Sequence, residues 1–404
     1  MIKSFKHLLY NIIFKTGRII FFFRKRKIDN KNIRKIIVAS LYFRGDTLFH
    51  TPALRMLRKL YPESQIDVWV KSRSEEVLQG NTNINDVIVF DNIRTANYNE
   101  KVSLDLMKKI EFALRIRKRK YDLYIDLTGK YSTALIGLLF KTKYSIGLNY
   151  NGFGFCYTKF IDLDTSASPG HLIDKYLSIV KIGLDVPDIK WKDLLNGSGN
   201  KPDIFIDEFT KQLVEKELEQ RINNENPLIA IHPTAGWTAK EWAPEKFSLL
   251  IERLINELHY NVVIVGDKSD SDKINIILGK INKVPENIIK NIFLPLSLKG
   301  TSEIIRKSNV FIGGDSVPLH LANTVETPSI GLFGPTNPEF SKPFGPKHIY
   351  IYHKLYCSAP DNHQFCTRDA GKSCPSIDCM IGITVSEVLD KLEILINEYY
   401  RGIA

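Results

Sequence analysis

The chain has 404 residues, which is too long for a single hydrophobic core and predicts two domains. Hydrophobic residues make up 44% and charged residues 25%, a balance that excludes a disordered or fibrous chain and is typical of a globular protein. The formal net charge of +11 favours anionic partners such as a nucleotide, a phosphorylated glycan or a membrane surface, while the absence of a nucleic-acid-binding motif argues against nucleic acid.

The first 27 residues combine apolar and basic side chains in a helical pattern. Asn11, Lys15 and Arg18 interrupt the apolar runs, so a spanning helix is not expected. The apolar run is not followed by a small-residue cleavage site, which argues against a signal peptide. Residues 1–30 are therefore predicted to form a basic amphipathic helix on an anionic membrane surface. A helix that packs on its own protein fits the same pattern, and both interpretations stay open. The apolar positions are Phe5, Leu8, Leu9, Ile12, Ile13, Ile19, Ile20 and Phe23.

Residues 31–190 alternate predicted strands and helices, which is the pattern of a doubly wound α/β domain. The strands are short apolar runs, as expected for a parallel sheet that is buried on both faces. The predicted strands are residues 35–40, 65–70, 86–90, 121–127 and 144–148. The predicted helices are residues 48–61, 75–79, 133–139 and 171–182.

A polar, glycine-containing stretch at residues 187–203 predicts an interdomain linker, which we place at residues 191–203. The alternation restarts over residues 204–383, and residues 384–404 are predicted to form a final helix. Thr384 and Glu387 have the spacing of a capping box for that helix. We therefore expect an α/β protein of two Rossmann-like, doubly wound domains that face a cleft. The strands of the second half are predicted at residues 228–232, 261–266, 309–312 and 329–333, with a helix at residues 244–258.

Residues 309–335 carry the clearest site signal, because a buried strand, a Gly-Gly turn, a helix start and another buried strand form one βαβ unit. Asp315 or Ser316 is predicted to cap a helix that begins near Pro318. Ligands in such units lie at the carboxyl ends of the strands, and helix starts attract phosphates. Asp315, Ser316 and His320 are therefore candidate site residues, although a capped helix without a ligand would give the same pattern.

Two further stretches could carry chemistry. Asp46 follows a strand end and begins a helix, so its carboxylate is either a catalytic group or a helix cap. Thr234, Thr238 and Lys240 lie in a loop after a strand, where hydroxyl donors and one positive charge suit a diphosphate. This loop contains no Gly-Lys-Ser/Thr, which argues against a P-loop enzyme. The dinucleotide glycine fingerprint is missing after the first strand of either half, which argues against a dehydrogenase.

Taken together, these stretches resemble glycosyltransferase family nine, the bacterial ADP-heptose:lipopolysaccharide heptosyltransferases. Each marker is weak alone, but their order and spacing are specific, and the resemblance runs from about Ile36 to the C-terminus. The markers are Arg44-Gly45-Asp46 with Thr51-Pro52-Ala53-Leu54, Tyr121-Asp122 with Ile125-Asp126-Leu127, His232-Pro233 with Lys240-Glu241-Trp242, Gly314-Asp315-Ser316 with His320-Leu321-Ala322, and Leu332-Phe333-Gly334-Pro335-Thr336.

The resemblance implies a GT-B fold and an inverting transfer that needs no catalytic metal. By position, it implies that Asp46 is the base that deprotonates the acceptor hydroxyl. Lys240, Thr234 and Ser316 would bind the donor diphosphate, which agrees with the loop chemistry that also marks Thr238. The remaining implied donor contacts are Asp315 and His320 at the sugar and phosphate, and Asp270 at the nucleotide ribose.

Two features depart from the family pattern or extend it. The family usually has glycine two residues after the aspartate, whereas this chain has Val317 followed by Pro318, which removes a backbone donor and adds a side chain.

Family members often carry cysteines near residues 357–379, and autotransporter heptosyltransferases are described as binding iron there. The resemblance thus implies a structural zinc or iron at four thiols, while thiols without metal or disulfides stay open. These residues are Cys357, Cys366, Cys374 and Cys379.

The sequence therefore predicts a cytoplasmic glycosyltransferase, peripheral on the inner face of the bacterial inner membrane. It would move a sugar, with heptose as the main candidate, from a nucleotide-diphosphate donor to a lipid-linked or other glycan acceptor such as the lipopolysaccharide core. A family member with another sugar or a protein acceptor is one alternative. A non-catalytic glycan-binding scaffold, motivated by Val317, is the other, although Asp46 and Lys240 argue against it.

Overall fold

The structure is a computed structural model, and it describes residues 15–17, 27–91, 106–162, 170–196, 199–222, 225–285, 288, 292–359, 366 and 374–400. The chain forms two compact units. The first comprises Met1–Thr165 and Leu172–Asp203, and the second comprises Ser166–His171 and Ile204–Ala404. The predicted N-terminal helix of residues 1–30 lies mostly outside the described residues.

The first unit contains a six-stranded parallel sheet with the order β3-β2-β1-β4-β5-β6. Its strands are β1 Lys35–Ser40, β2 Gln65–Val70, β3 Asp86–Val89, β4 Leu123–Asp126, β5 Tyr144–Leu148 and β6 Lys159–Ile161. Its helices are α1 Arg44–Leu60, α2 Ser72–Leu78, α3 Leu106–Lys118, α4 Tyr131–Leu139, α5 Leu172–Gly183 and α6 Asp188–Leu195. Short 3-10 helices occur at Asn30–Asn32 and Tyr150–Cys156.

The second unit repeats this architecture with the strand order β12-β11-β10-β7-β8-β9. Its strands are β7 Leu228–His232, β8 Asn261–Gly266, β9 Phe293–Pro295, β10 Val310–Gly314, β11 Ser329–Phe333 and β12 His348–Tyr352. Its helices are α7 Glu208–Glu219, α8 Pro244–Asn256, α9 Ser271–Leu278, α10 Leu298–Lys307, α11 Val317–Thr324, α12 Pro338–Ser341, α13 Asp378–Ile381 and α14 Val385–Tyr399. Thr238–Lys240 and Lys268–Asp270 form 3-10 helices.

The central strands explain the predicted pattern of apolar runs. β1, β4, β7, β10 and β11 are buried at all or nearly all of their residues, because helices cover both faces of each sheet. In the first unit the chain builds one half of the sheet outward from β1 and the other half outward from β4, and these two strands are neighbours. In the second unit β7 and β10 are the corresponding neighbours from which the two halves extend. Such a switch point leaves a crevice at the carboxyl ends of the strands.

Each sheet has its own hydrophobic core. On one face of the first sheet, Trp69 packs against Phe112 of α3 with a ring distance of 4.8 Å. In the second unit, Trp242 packs edge-on against Phe247, and its indole N–H donates to the backbone oxygen of Ile383 at 3.0 Å. That bond fixes the chain just before α14, whose predicted capping box between Thr384 and Glu387 is confirmed.

Three sequence predictions need correction. Helix α1 begins at Arg44 rather than at residue 48, so Asp46 lies inside its first turn. Part of the predicted linker is the helix α6, which begins after Pro187 at the N-cap and buries Trp191. The predicted helix at residues 75–79 is Ser72–Leu78. Among the helices within the described ranges, none is long and apolar enough to span a membrane.

Candidate functional site

Asp46 lies in the first turn of α1, three residues after the loop that leaves β1. The N-cap residue Phe43 makes no side-chain capping bond. A carboxylate in the first turn of a helix is stabilised by the helix dipole, typically by about 0.3–1 kcal/mol. Because β1 is one of the two strands at the switch point of its sheet, Asp46 lies where α/β proteins bind ligands.

Buried side chains support the Asp46 carboxylate. The hydroxyl of Tyr176, on α5, donates a long hydrogen bond of 3.4 Å to Asp46 Oδ1. Burial and then the negative charge of Asp46 raise the pKa of Tyr176 well above its ordinary value, so the hydroxyl keeps its proton. The Tyr176 ring meets the His50 ring edge-on at 4.1 Å, and His50 Nδ1 is hydrogen-bonded to Ser40 Oγ at 2.6 Å. Burial lowers the pKa of His50 to about 3, so its imidazole is neutral.

Cationic side chains follow the carboxyl ends of three strands near Asp46. Burial lowers the pKa of Lys130, after β4, and attraction to Asp46 partly opposes that change. Arg44 Nε donates to the backbone oxygen of Arg73, after β2, at 2.8 Å. The Arg73 guanidinium lies over the ring of Phe43 at 4.1 Å. Positive charge at this edge of the sheet, with Lys130 attracted to Asp46, favours an anionic ligand.

In the second unit, the carboxyl ends of β7 and β10 bring a lysine and an aspartate together. Lys240 Nζ contacts Asp315 Oδ2 at 2.5 Å and the Asp315 backbone oxygen at 3.2 Å. The ammonium also lies 4.2 Å from the centre of the Trp237 ring. A Cβ added at Gly314 would lie 3.3 Å from the backbone oxygen of Lys240, so glycine allows this close approach.

Asp315 has several partners besides Lys240. Its Oδ2 accepts a hydrogen bond from Thr336 at 2.7 Å, and its Oδ1 accepts one from Ser341 at 3.3 Å. His320 Nε2, on α11, is 3.6 Å from Oδ1. Burial alone would raise the pKa of Asp315, but the positive charge of Lys240 and the contact with His320 outweigh it and hold the pKa far below its ordinary value. The carboxylate is therefore charged and fixes the direction of the lysine.

A second set of contacts surrounds His232 at the end of β7. Ser316 Oγ lies 3.2 Å from His232 Nδ1, and Thr234 Oγ1 lies 3.2 Å from His232 Nε2. Thr234 Oγ1 donates to Asp270 Oδ1 at 2.7 Å, so its single hydroxyl proton is engaged by that carboxylate. Burial lowers the pKa of His232 below its ordinary value, against the opposing charge of Asp270.

The start of α11 differs from the sequence prediction. Ser316 is at the N-cap, but its side chain makes no capping bond; its hydroxyl contacts His232 and the backbone oxygen of Gly314. Asp315 does not cap either, because its carboxylate is directed to Lys240. Val317 is the first helical residue and is half-buried, and Pro318 follows it inside the helix.

The structure thus brings most predicted donor-site residues together in the second unit. They follow the ends of β7, β8 and β10 and comprise Thr234, Lys240, Asp270, Asp315, Ser316 and His320. Thr238 begins the neighbouring 3-10 helix and is exposed. Asp46 belongs to the first unit, and its predicted role as a base stays a prediction.

The four cysteines predicted as metal ligands line one pocket beside the end of β11; they are Cys357, Cys366, Cys374 and Cys379. Burial and then the neighbouring thiols raise the pKa of Cys379 to about 11, so this thiol keeps its proton. Within the part of the chain that the structure describes, no three or more His, Cys, Asp or Glu side chains are arranged to hold a metal ion. The described side chains as they are placed do not form a metal-binding group, and the zinc or iron at the four cysteines stays a prediction.

Sequence reasoning missed several partners of the site residues. Tyr176 reaches Asp46 across 130 positions of sequence, and no local pattern marks it. Ser341 was missed for the same reason, since it lies 26 residues from Asp315. Trp237 lies only three residues before Lys240, so its spacing could have marked it. Thr336 had a signal, because it follows the Gly-Pro that ends β11, in the position of a ligand-facing loop.

Comparisons with known proteins cover most of the chain. Residues 110–369, more than half of the sequence, match glycosyltransferase family 9 (heptosyltransferase). The chain is 27% identical to lipopolysaccharide heptosyltransferase 3 of Escherichia coli over 338 residues, which cover 80% of this chain and 90% of that protein.

Two solved structures have similar folds. The glycosyltransferase family 9 protein of Veillonella parvula DSM 2008 matches with a TM-score of 0.75 and 22% identity, covering 92% of this chain and 99% of that one. The E. coli ADP-heptose lipopolysaccharide heptosyltransferase II matches with a TM-score of 0.70 and 20% identity, covering 90% and 99%. These matches confirm the predicted α/β fold of the GT-B type.

Proposed function

Because the chain belongs to glycosyltransferase family 9, the heptosyltransferase family, and is a glycosyltransferase, we propose that it moves heptose from ADP-heptose to the core of a lipopolysaccharide or a related glycan. The observation that carries the proposal is the Lys240–Asp315 pair at the switch point of the second sheet. It supplies one oriented cation at the sheet edge where nucleotides bind in α/β folds. The proposed reaction takes place at the inner face of the inner membrane, where such an acceptor is held by its lipid.

In the proposed reaction, the oxygen of an acceptor hydroxyl attacks the anomeric carbon as the bond to the diphosphate breaks. The configuration inverts, and the electron pair of the broken bond leaves with the diphosphate. Asp46 takes the hydroxyl proton, a contribution worth about 10²–10⁴-fold in rate. Lys240 neutralises the charge that develops on the departing diphosphate, and Asp315 holds the ammonium in place.

The other predicted residues support the donor. Thr238 is exposed beside Lys240, and its hydroxyl is suited to a diphosphate oxygen. Thr234, Asp270, Ser316 and His232 are hydrogen-bonded to one another, so we assign them to shaping the nucleotide pocket. Lys130, which interacts with Asp46, and the cations Arg44 and Arg73 after the neighbouring strands β1 and β2 suit an anionic glycan acceptor.

The test is a transfer assay with defined donors. Purified protein is incubated with a heptose-deficient lipooligosaccharide core and with ADP-heptose, ADP-glucose, UDP-glucose or GDP-mannose, and products are analysed by mass spectrometry. We expect a mass increase of one heptose with ADP-heptose alone. Transfer of another sugar would point to the altered helix start at Val317 and reassign the donor. No transfer with any donor or core would contradict the proposed function.

Tyr176→Phe tests how Asp46 is held. The variant keeps the buried ring against His50 but removes the hydroxyl that donates to Asp46. Because that donor favours the charged carboxylate, we expect the acid limb of the pH–rate profile to move to higher pH. At neutral pH the carboxylate stays charged, but it is no longer held in one orientation, so we expect kcat there to fall by about 3- to 10-fold.

The control for this change is the removal of another buried tyrosine hydroxyl in the same unit, Tyr124→Phe, which loses a bond to the backbone oxygen of Thr133. We expect that variant to keep the wild-type pH profile. An unchanged profile in Tyr176→Phe, with normal folding by circular dichroism, would remove Tyr176 as a positioning residue for Asp46.

A further inference from the structure

Helix α4 carries an apolar stripe on its outer side. Its nine residues include no charged side chain, a composition that usually marks a helix buried all round. Yet Tyr131, Leu135 and Leu139, at i, i+4 and i+8, are 46%, 43% and 45% exposed. These three side chains form a continuous apolar surface on one side of the helix.

Helix α3 extends the same surface. It covers the same face of the first sheet as α4, since Phe112 of α3 contacts Phe140, directly after α4, with a ring distance of 6.1 Å. Met107 and Leu114, one heptad apart on α3, are 73% and 48% exposed. We call this surface, made of Met107, Leu114, Tyr131, Leu135 and Leu139, the α3–α4 face.

Positive charge surrounds the α3–α4 face. Residues 106–143 contain ten Lys or Arg and only three Asp or Glu. Two of the three acids, Asp122 and Asp126, are engaged with the backbone at the two ends of β4, which leaves Glu111 as the exposed acid on α3. The exposed cations near the face include Lys108, Arg115, Arg117, Lys118, Lys141 and Lys143.

Residues 15–17, the described turn near the N-terminus, pack on the same side of the unit. Gly17 is buried, and a Cβ there would meet the ring of Phe155. Phe155 contacts Phe153 with a ring distance of 5.8 Å, and Phe153 contacts Tyr131 of α4 at 5.9 Å. A continuous path of packed residues thus joins the described turn of this segment to the α3–α4 face.

We propose that the α3–α4 face docks on an anionic lipid bilayer. Apolar side chains in a field of Lys and Arg are the combination that binds such a surface, through insertion of the apolar groups and attraction to the head groups. A second copy of the chain is a poorer occupant, because a twofold contact would place like charges opposite each other. The role of this surface, which is to bring the enzyme to a lipid-borne acceptor, rests on the proposed function; the docking itself does not.

The test is vesicle co-sedimentation of the full-length protein. Vesicles of phosphatidylethanolamine with phosphatidylglycerol are compared with vesicles of phosphatidylcholine alone. We expect the wild type to bind the anionic vesicles, and Leu135→Asp/Leu139→Asp to weaken that binding by about tenfold or more, because two inserted side chains are replaced by repelled charges. Both leucines are over two-fifths exposed, so the variant is expected to fold.

The matched control changes two equally exposed leucines in the second unit, Leu249→Asp/Leu258→Asp, which should bind vesicles like the wild type. Raising the salt from about 0.1 M to about 1 M, which shortens the Debye length from about 10 Å to about 3 Å, should also weaken wild-type binding. Equal binding by the α3–α4 variant and the wild type would overturn the proposal. So would a wild-type dimer that the variant converts to monomers, since the face would then join two copies.

Vesicle binding is measured without any transfer reaction, so the two proposals can fail separately. If Leu135→Asp/Leu139→Asp lost vesicle binding but transferred heptose normally to a soluble core oligosaccharide, the docking surface would be supported. Vesicle binding without transfer would leave the docking surface supported and contradict the proposed function alone.

Discussion

Asp46→Asn is expected to lower glycosyl transfer by about 10²-fold or more while folding and donor binding remain normal. Asparagine is nearly the same size and suits a first helical turn, but it cannot accept the proton of the acceptor hydroxyl. The loss of charge near the start of α1 should cost only about 0.3–1 kcal/mol of stability. The measurement is transfer rate and donor affinity on the same sample, with thermal unfolding as the check of the fold.

A matched control is available in the same unit. Asp174 is also an acidic residue in the first turn of a helix, α5, and is exposed. Asp174→Asn makes the same chemical change and should leave transfer unchanged. If Asp46→Asn transferred sugar at the wild-type rate, Asp46 would be a helix-stabilising residue only, and the proposed base would have to be another group.

Lys240→Ala should lower turnover by about 10²–10³-fold, because the departing diphosphate loses its oriented cation. Nucleotide affinity should also fall and become less sensitive to salt, since one charge–charge attraction is gone. The variant leaves the buried Asp315 carboxylate without its main partner, and breaking a buried ion pair costs about 3–5 kcal/mol. Transfer kinetics, nucleotide titration at two salt concentrations and thermal unfolding are the measurements.

Two control variants separate loss of charge from loss of stability. Lys240→Ala/Asp315→Asn removes both charges, so it should recover part of the stability while turnover stays low. Lys273→Ala removes an exposed lysine that pairs with Glu241, next to Lys240, and should leave both activity and stability near wild type. A double variant with wild-type turnover would show that Lys240 serves only to pair Asp315.

The sequence by itself determined the element types in the centre of both sheets. Strands such as β7 and β11 are continuous apolar runs that end in Gly or Pro signals, and local composition is enough to mark them. The final capping box was also readable, because Thr384 and Glu387 interact over three residues. The short strands β6 and β9, with three residues each, are too brief to carry a pattern and were missed.

Only the tertiary structure decided which side chains meet. Asp315 was marked as a site residue from its place after β10, but its partners come from 75 residues earlier, at Lys240, and 26 residues later, at Ser341. Likewise, the hydroxyl that contacts Asp46 belongs to Tyr176 on a distant helix, and nothing in the sequence around Asp46 predicts that contact. The reason is physical: local sequence fixes backbone conformation between near neighbours, whereas the order of strands in the sheet decides which strand ends, and thus which side chains, become adjacent.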